Sequence, residues 1–206
     1  MYLPAAFALT DPQDLHRILR EHPLGMLVTP GPQGLDANHI PFEFDPDTGA
    51  LGTLRAHVAR ANPVWQQAPS GSPVLVVFRG EQAYVSPNWY PSKHETHRQV
   101  PTWNYEVVHA HGTLTVRDDA RYVRGVVARL TRTHEADQPR PWTMADSPTD
   151  YLEQMAAQIV GIEVAITSLV GKSKMSQNKE PRDREGVAQA FEARGQETLA
   201  RKVLQR

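Results

Sequence analysis

The sequence predicts a mainly β domain with flanking helices, built as an antiparallel Greek-key barrel. Three observations predict it. Short apolar or alternating runs recur throughout the chain, separated by many of its seventeen prolines and thirteen glycines. Helical periodicity is confined to a few segments. The elements also lack the regular strand–helix–strand alternation that a doubly wound parallel sheet requires.

Asp11-Pro12-Gln13-Asp14 starts the first helix. Asp11 accepts from free backbone amides, and proline suits the first helical position. Leu15, Ile18 and Leu19 form its apolar stripe, and Pro23 ends it. Residues 25–29 read as a buried strand, turned by Gly31-Pro32-Gln33-Gly34 into a second at 36–44. A turn at 45–49 leads to a short strand at 50–54 and a short helix over 56–67, ended or interrupted near Pro63. Residues 74–78 and 83–86 read as a hairpin about Arg79-Gly80-Glu81-Gln82. Residues 100–116 alternate as one long or bent strand. Asp118 then caps a helix with Val123, Val126, Val127 and Leu130 at helical period. Ser147-Pro148-Thr149-Asp150 opens another helix, 159–170 is the last strand, and one helix runs from Asp183 to the end.

With 206 residues, the chain has room for one sizeable core or two small domains. It has no cysteine, which excludes disulfides, thiolate catalysis and cysteine-ligated metal, and fits a reducing, cytoplasmic setting. No apolar run matches a bilayer span, and Met1-Tyr2-Leu3-Pro4 does not read as a secretion leader, so no membrane partner is expected. Net charge is −1, unlike that of a general polyanion binder. The charge is uneven, however: residues 172–206 carry nine Lys/Arg against five Asp/Glu.

Chemistry concentrates in a few segments. Ser86-Pro87-Asn88-Trp89-Tyr90-Pro91-Ser92-Lys93 joins prolines, two large aromatics, a hydroxyl and a cation. Such a loop either stacks a flat ring or fills a core or subunit interface. Trp103 and Tyr105 share a strand face with His109 and His111, but no further ligand follows at a diagnostic spacing, so no metal is assigned. His57-Val58-Ala59-Arg60-Ala61-Asn62-Pro63, placed at a helix start, suits a phosphate. Gly171-Lys172-Ser173-Lys174-Met175-Ser176-Gln177-Asn178 offers two lysines and several polar groups, to close a phosphate or ring-edge site or to remain solvated. Phosphate-loop, dinucleotide-fingerprint, serine-elbow and zinc-helix patterns are absent, and no catalytic residue is assigned.

These segments, together with Asn38-His39-Ile40-Pro41-Phe42 and Val100-Pro101-Thr102-Trp103-Asn104-Tyr105, resemble the PaiB family of FMN-binding negative transcriptional regulators. The resemblance covers nearly the whole chain. Asn88 and Met175 depart from it, standing where serine and leucine are expected.

The resemblance implies an FMN-binding split barrel of the pyridoxamine-phosphate oxidase-like group, spanning 1–171, with a basic helical extension at 172–206 packed on the same domain. It implies a homodimer with FMN between subunits. It places Arg55, His57, Arg60 and Asn62 toward the flavin phosphate, and Thr29, His39 and Thr53 toward the ring or ribityl chain. Trp89, Tyr90, Lys93 and Trp103 are assigned to the partner-subunit wall, and Lys172, Lys174, Ser176 and Gln177 to closure of the site. The output expected is repression. DNA stays an open partner, because no DNA-reading module is visible. An FMN-dependent oxidoreductase on the same scaffold is the alternative, and haem binding a weaker one.

Overall fold

The computed structural model describes residues 1–205 of the 206. The strands are β1 (Ala8–Leu9), β2 (Leu24–Gly31), β3 (Gly34–Pro41), β4 (Glu43–Asp45), β5 (Thr53–Ala59), β6 (Pro73–Val85), β7 (Thr102–Arg117) and β8 (Ile159–Lys174). The helices are α1 (Pro12–Glu21), α2 (Val64–Gln67), α3 (Pro91–Thr96), α4 (Ala120–Glu135), α5 (Thr149–Ala157), α6 (Pro181–Glu192) and α7 (Glu197–Gln205). The sheet order is β3-β2-β6-β7-β8-β5-β4, with β1 on β8. The registered pairs are antiparallel, β2 with β3 and β6, and β5 with β4 and β8. This is the expected class, an antiparallel sheet with flanking helices.

The chain forms two compact units. Unit 1 comprises Met1–Ile18, Arg79–Val108 and the described part of Val170–Arg206; unit 2 comprises Leu19–Phe78 and His109–Leu169.

In unit 2, β2 and β3 form the first expected hairpin, in register from Leu24↔Pro41 to Gly31↔Gly34. The next strand begins later than expected, at Thr53 rather than at 50, and runs through His57. Gly49 (φ 84°) and Gly52 (φ 90°) hold left-handed backbone and prolong the turn. β5 then pairs with β8 from Thr53↔Ala165 to Ala59↔Ile159, so His57 lies on a strand, not at a helix start. The expected helix over 56–67 shrinks to the single turn α2 after Pro63. Asp119, not Asp118, caps α4, accepting from the Tyr122 amide at 2.7 Å.

The expected hairpin at 79–82 is absent: β6 is one strand of 13 residues. Gly80 is buried and is not among the positive-φ glycines, so nothing reverses the chain there.

Unit 1 gathers its core from two distant stretches of sequence. Val85 and Tyr90 meet Met175, Val187, Phe191, Leu199 and Val203, all at most 3% exposed. The single final helix expected from the sequence is two, because Gly195 (φ 70°) breaks it between α6 and α7. The break lets both helices turn apolar faces to that core. Glu106 on β7 is 2% exposed and holds three elements together: it accepts from Arg17 of α1 at 3.0 Å, and it also pairs with Lys202 of α7 and bonds Ser173 of β8.

Candidate functional site

The sequence-predicted residues divide cleanly between the units. Thr29, His39, Thr53, Arg55, His57, Arg60 and Asn62 all lie in unit 2. Trp89, Tyr90, Lys93, Trp103, Lys172, Lys174, Ser176 and Gln177 all lie in unit 1.

In unit 2, β5 carries Thr53, Arg55 and His57 at alternate positions, so they share one face of the strand. The Thr53 hydroxyl donates to the Thr48 carbonyl at 2.9 Å. Arg55 is held at 2.7 Å by Asp45 and at 3.6 Å by Glu163. Asp45 is correspondingly held below the usual carboxylate range, chiefly by the Thr48 hydroxyl. Arg60 lies beyond the strand end. Two of its nitrogens grip Asp118, at 2.6 and 3.0 Å, and its Nε donates to the Ala157 carbonyl at 2.8 Å. A cleft of about 400 Å³ opens beside it, lined by Arg60 and Arg124 but also by Asp118, Asp119 and Glu153. The Arg60 guanidinium, like that of Arg55, therefore already serves a carboxylate, and either reaches a phosphate only by exchanging partners. Asn62 ties the strand end to β3 through Asn38 at 2.8 Å and caps α2 through the Val64 amide at 3.0 Å.

His57 differs from these. Its Nδ1 is buried without a hydrogen-bond partner, and burial lowers the pKa of the ring. Both features suit a ligand oxygen at Nδ1, which would satisfy the atom and, if anionic, favour its proton. Thr29 is buried and His39 exposed on the β2–β3 hairpin. His109 and His111 lie 6.4 Å apart by ring centroid. Among the described residues no group of three or more histidine, cysteine or carboxylate side chains could hold a metal.

In unit 1 the loaded loop folds inward. Tyr90 is 0% exposed, inside the core cluster. Trp89 packs edge-on to Phe191 at 5.5 Å, and the Arg194 guanidinium sits 4.5 Å above its ring. Lys93 is half-buried. Trp103 remains 56% exposed, with Tyr84 edge-on at 6.1 Å.

Residues 173–183 meet the loop and β7 through a polar seam. Asp183 accepts from the Ser92 amide at 3.0 Å and the Ser92 hydroxyl at 2.6 Å. The Ser176 hydroxyl and the Asn104 side-chain amide lie 3.1 Å apart, both fully enclosed. Ser176 holds φ 63°, a left-handed conformation that costs a non-glycine residue about 1 kcal/mol or more. Gln177 spends both ends of its amide on backbone, at Met175 N and Ser173 O, each 2.6 Å away.

Sequence reasoning missed Lys179, Gln99 and Asp183. The first two are joined at 2.6 Å. The available signal was the basic run itself, which continues one residue beyond Asn178.

The residues present fit a flavin in part. His57 offers an unsatisfied buried nitrogen, while Arg55 and Arg60 offer cations that are already paired. A bound flavin would supply any redox chemistry, and the chain's own groups would hold and orient it.

The comparisons bear on the ligand, not on the individual residues. The family described as "Putative FMN-binding domain" matches residues 1–168. An uncharacterized protein of Aspergillus fumigatus is 36% identical over an alignment covering 96% of this chain and 93% of the relative. Protease synthase and sporulation protein PAI 2 of Bacillus subtilis is 29% identical, covering 89% of this chain and 85% of that protein. Among solved structures, the FAD and haem binding protein of Mycobacterium smegmatis matches with a TM-score of 0.57 at 17% identity, over 81% of this chain and 73% of that one, a likeness of fold. The chain belongs to the PaiB-like family of FMN-binding domains, and FMN is the cofactor that membership assigns to it.

Proposed function

We propose that the protein is an FMN-binding negative regulator of transcription that acts as a cytoplasmic homodimer, with flavin held between subunits. The observation that carries the regulatory part is its similarity to the Bacillus subtilis sporulation protein across 89% of this chain. The unpartnered Nδ1 of His57 supports a ligand on β5, and the exposed Tyr84–Trp103 pair supports a wall offered to a second copy. No helix among the described residues is long and apolar enough to cross a membrane.

The tests separate the parts. Purified protein loaded with FMN shows the flavin absorption bands, and sedimentation gives twice the protomer mass. Mobility shifts on regulatory DNA from the host, run at several salt concentrations, show a sequence-specific, salt-sensitive complex. A flavin-loaded dimer that retards no specific fragment removes direct DNA binding. Steady oxidation of NADH or NADPH by that same dimer would make it an oxidoreductase instead.

A further inference from the structure

Three lysines of unit 1 share an unusual condition: among the described residues, none has a carboxylate partner. Lys172 is only 7% exposed, yet its amine meets the Tyr2 carbonyl at 3.2 Å and the rings of Tyr2 and Tyr105 at 5.6 and 5.3 Å. Lys174, two residues along the same face of β8, donates to the Thr102 hydroxyl and to the Trp103 carbonyl, the latter at 3.1 Å. Lys179 donates to Gln99 Oε1 at 2.6 Å and sits 4.9 Å above the Tyr90 ring.

Every acceptor they use is neutral. Each ammonium has three donors, so N–H groups remain on all of them. Of the buried acids of this unit, Glu106 is committed to Arg17 and Lys202, and Asp183 to Ser92 and to Gln99, the residue that also accepts from Lys179. The like charges also reach one another: burial lowers the Lys174 pKa, Tyr105 opposes this in part, and the charges of Lys172 and Lys179 add smaller lowering effects. Ring faces soften such a cluster but do not neutralise it. The Tyr90 ring beneath Lys179 carries a buried hydroxyl with no hydrogen-bond partner among the described residues, while the Ser176 hydroxyl is engaged with Asn104.

We propose that Lys172, Lys174 and Lys179 form an anion site that takes the dianionic phosphate of a phosphate monoester. Up to three uncompensated positive charges match a dianion better than a carboxylate. The phosphate comes either from the flavin itself or from a separate phosphorylated molecule. In the first case the inference rests on the flavin reading; in the second it does not.

The test uses the full chain with Lys172→Gln, Lys174→Gln and Lys179→Gln, each checked for a parental circular dichroism spectrum. The half-buried Lys174 and Lys179 carry the test if the Lys172 variant fails to fold. Inorganic phosphate is compared with chloride at equal ionic strength for its effect on melting temperature. FMN and riboflavin are titrated by fluorescence quenching. Phosphate is expected to raise the melting temperature of the parent, and the variants to lose that protection. If the flavin supplies the phosphate, the variants bind FMN about tenfold more weakly and riboflavin as before. If another molecule supplies it, FMN affinity is unchanged while the phosphate effect disappears. A parent that binds no flavin but retains lysine-dependent phosphate protection removes the flavin reading and leaves this site standing. The proposal is overturned if phosphate protects no better than chloride and folded variants bind FMN as tightly as the parent.

Discussion

His57 combines a half-buried ring with a nitrogen that none of the described residues satisfies. Its pKa is lowered by burial, so between that value and the ordinary 6.5 the unfolded chain binds the proton and the folded chain does not. Stability contributed by this group is therefore present above pH 6.5 and lost as pH falls through the window below it. Urea unfolding at pH 7.5 and pH 5 should show His57→Gln losing less stability on acidification than the parent. An anionic ligand oxygen at Nδ1 would favour the proton, so protein carrying one there should also lose less. Lys174 works in the same direction at alkaline pH: its lowered folded pKa makes stability rise as pH rises toward its unfolded value. Glu106 is a matter of charge burial. Glu106→Gln leaves Arg17 and Lys202 beside a neutral amide and should cost about 3 kcal/mol in denaturant unfolding.

Local signals shape the individual elements, and here most of the sequence reading held. Asp11 and Pro12 marked α1, Gly31 to Gly34 marked the β2–β3 turn, and alternation marked β7 along nearly its full length. The misreadings have physical causes. Adjacent aspartates made the α4 cap ambiguous by one residue; the choice rested on which side chain Arg60 captured. Asp119→Ala should cost about 1 kcal/mol through loss of the cap. Asp118→Ala should leave the helix intact while freeing Arg60, and thermal unfolding of the two variants distinguishes these roles. Gly80 looked like a turn because glycine permits one, but burial on the sheet overruled that freedom. The turn before β5 needed two left-handed glycines, which sequence alone does not reveal. At Gly52 an added Cβ would also meet the Phe44 ring, so Gly52→Ala should cost about 2 kcal/mol in the same assay.

At the scale of the whole molecule, the fold class was readable because periodicity and turn residues are local, whereas the site was readable only as a set of motifs. Which cations are free is decided by residues far away in sequence. Arg60 finds Asp118 and Arg55 finds Glu163, while Lys172 and Lys174 find none. Burial of Trp89 and Tyr90 beneath α6 and α7 likewise depends on two stretches that sequence distance hides. The loop read first as a ring-binding wall owes its shape to the C-terminal helices. Phe191→Ala should cost about 3 kcal/mol and speed amide exchange in α6, α7 and the loop together.

The central claim is that this chain holds FMN. Titration of FMN into flavin-free protein, followed by quenching of flavin fluorescence, tests it most directly. Saturable quenching at one FMN per protomer is the predicted result; a folded protein that leaves the fluorescence unchanged at every concentration would contradict it.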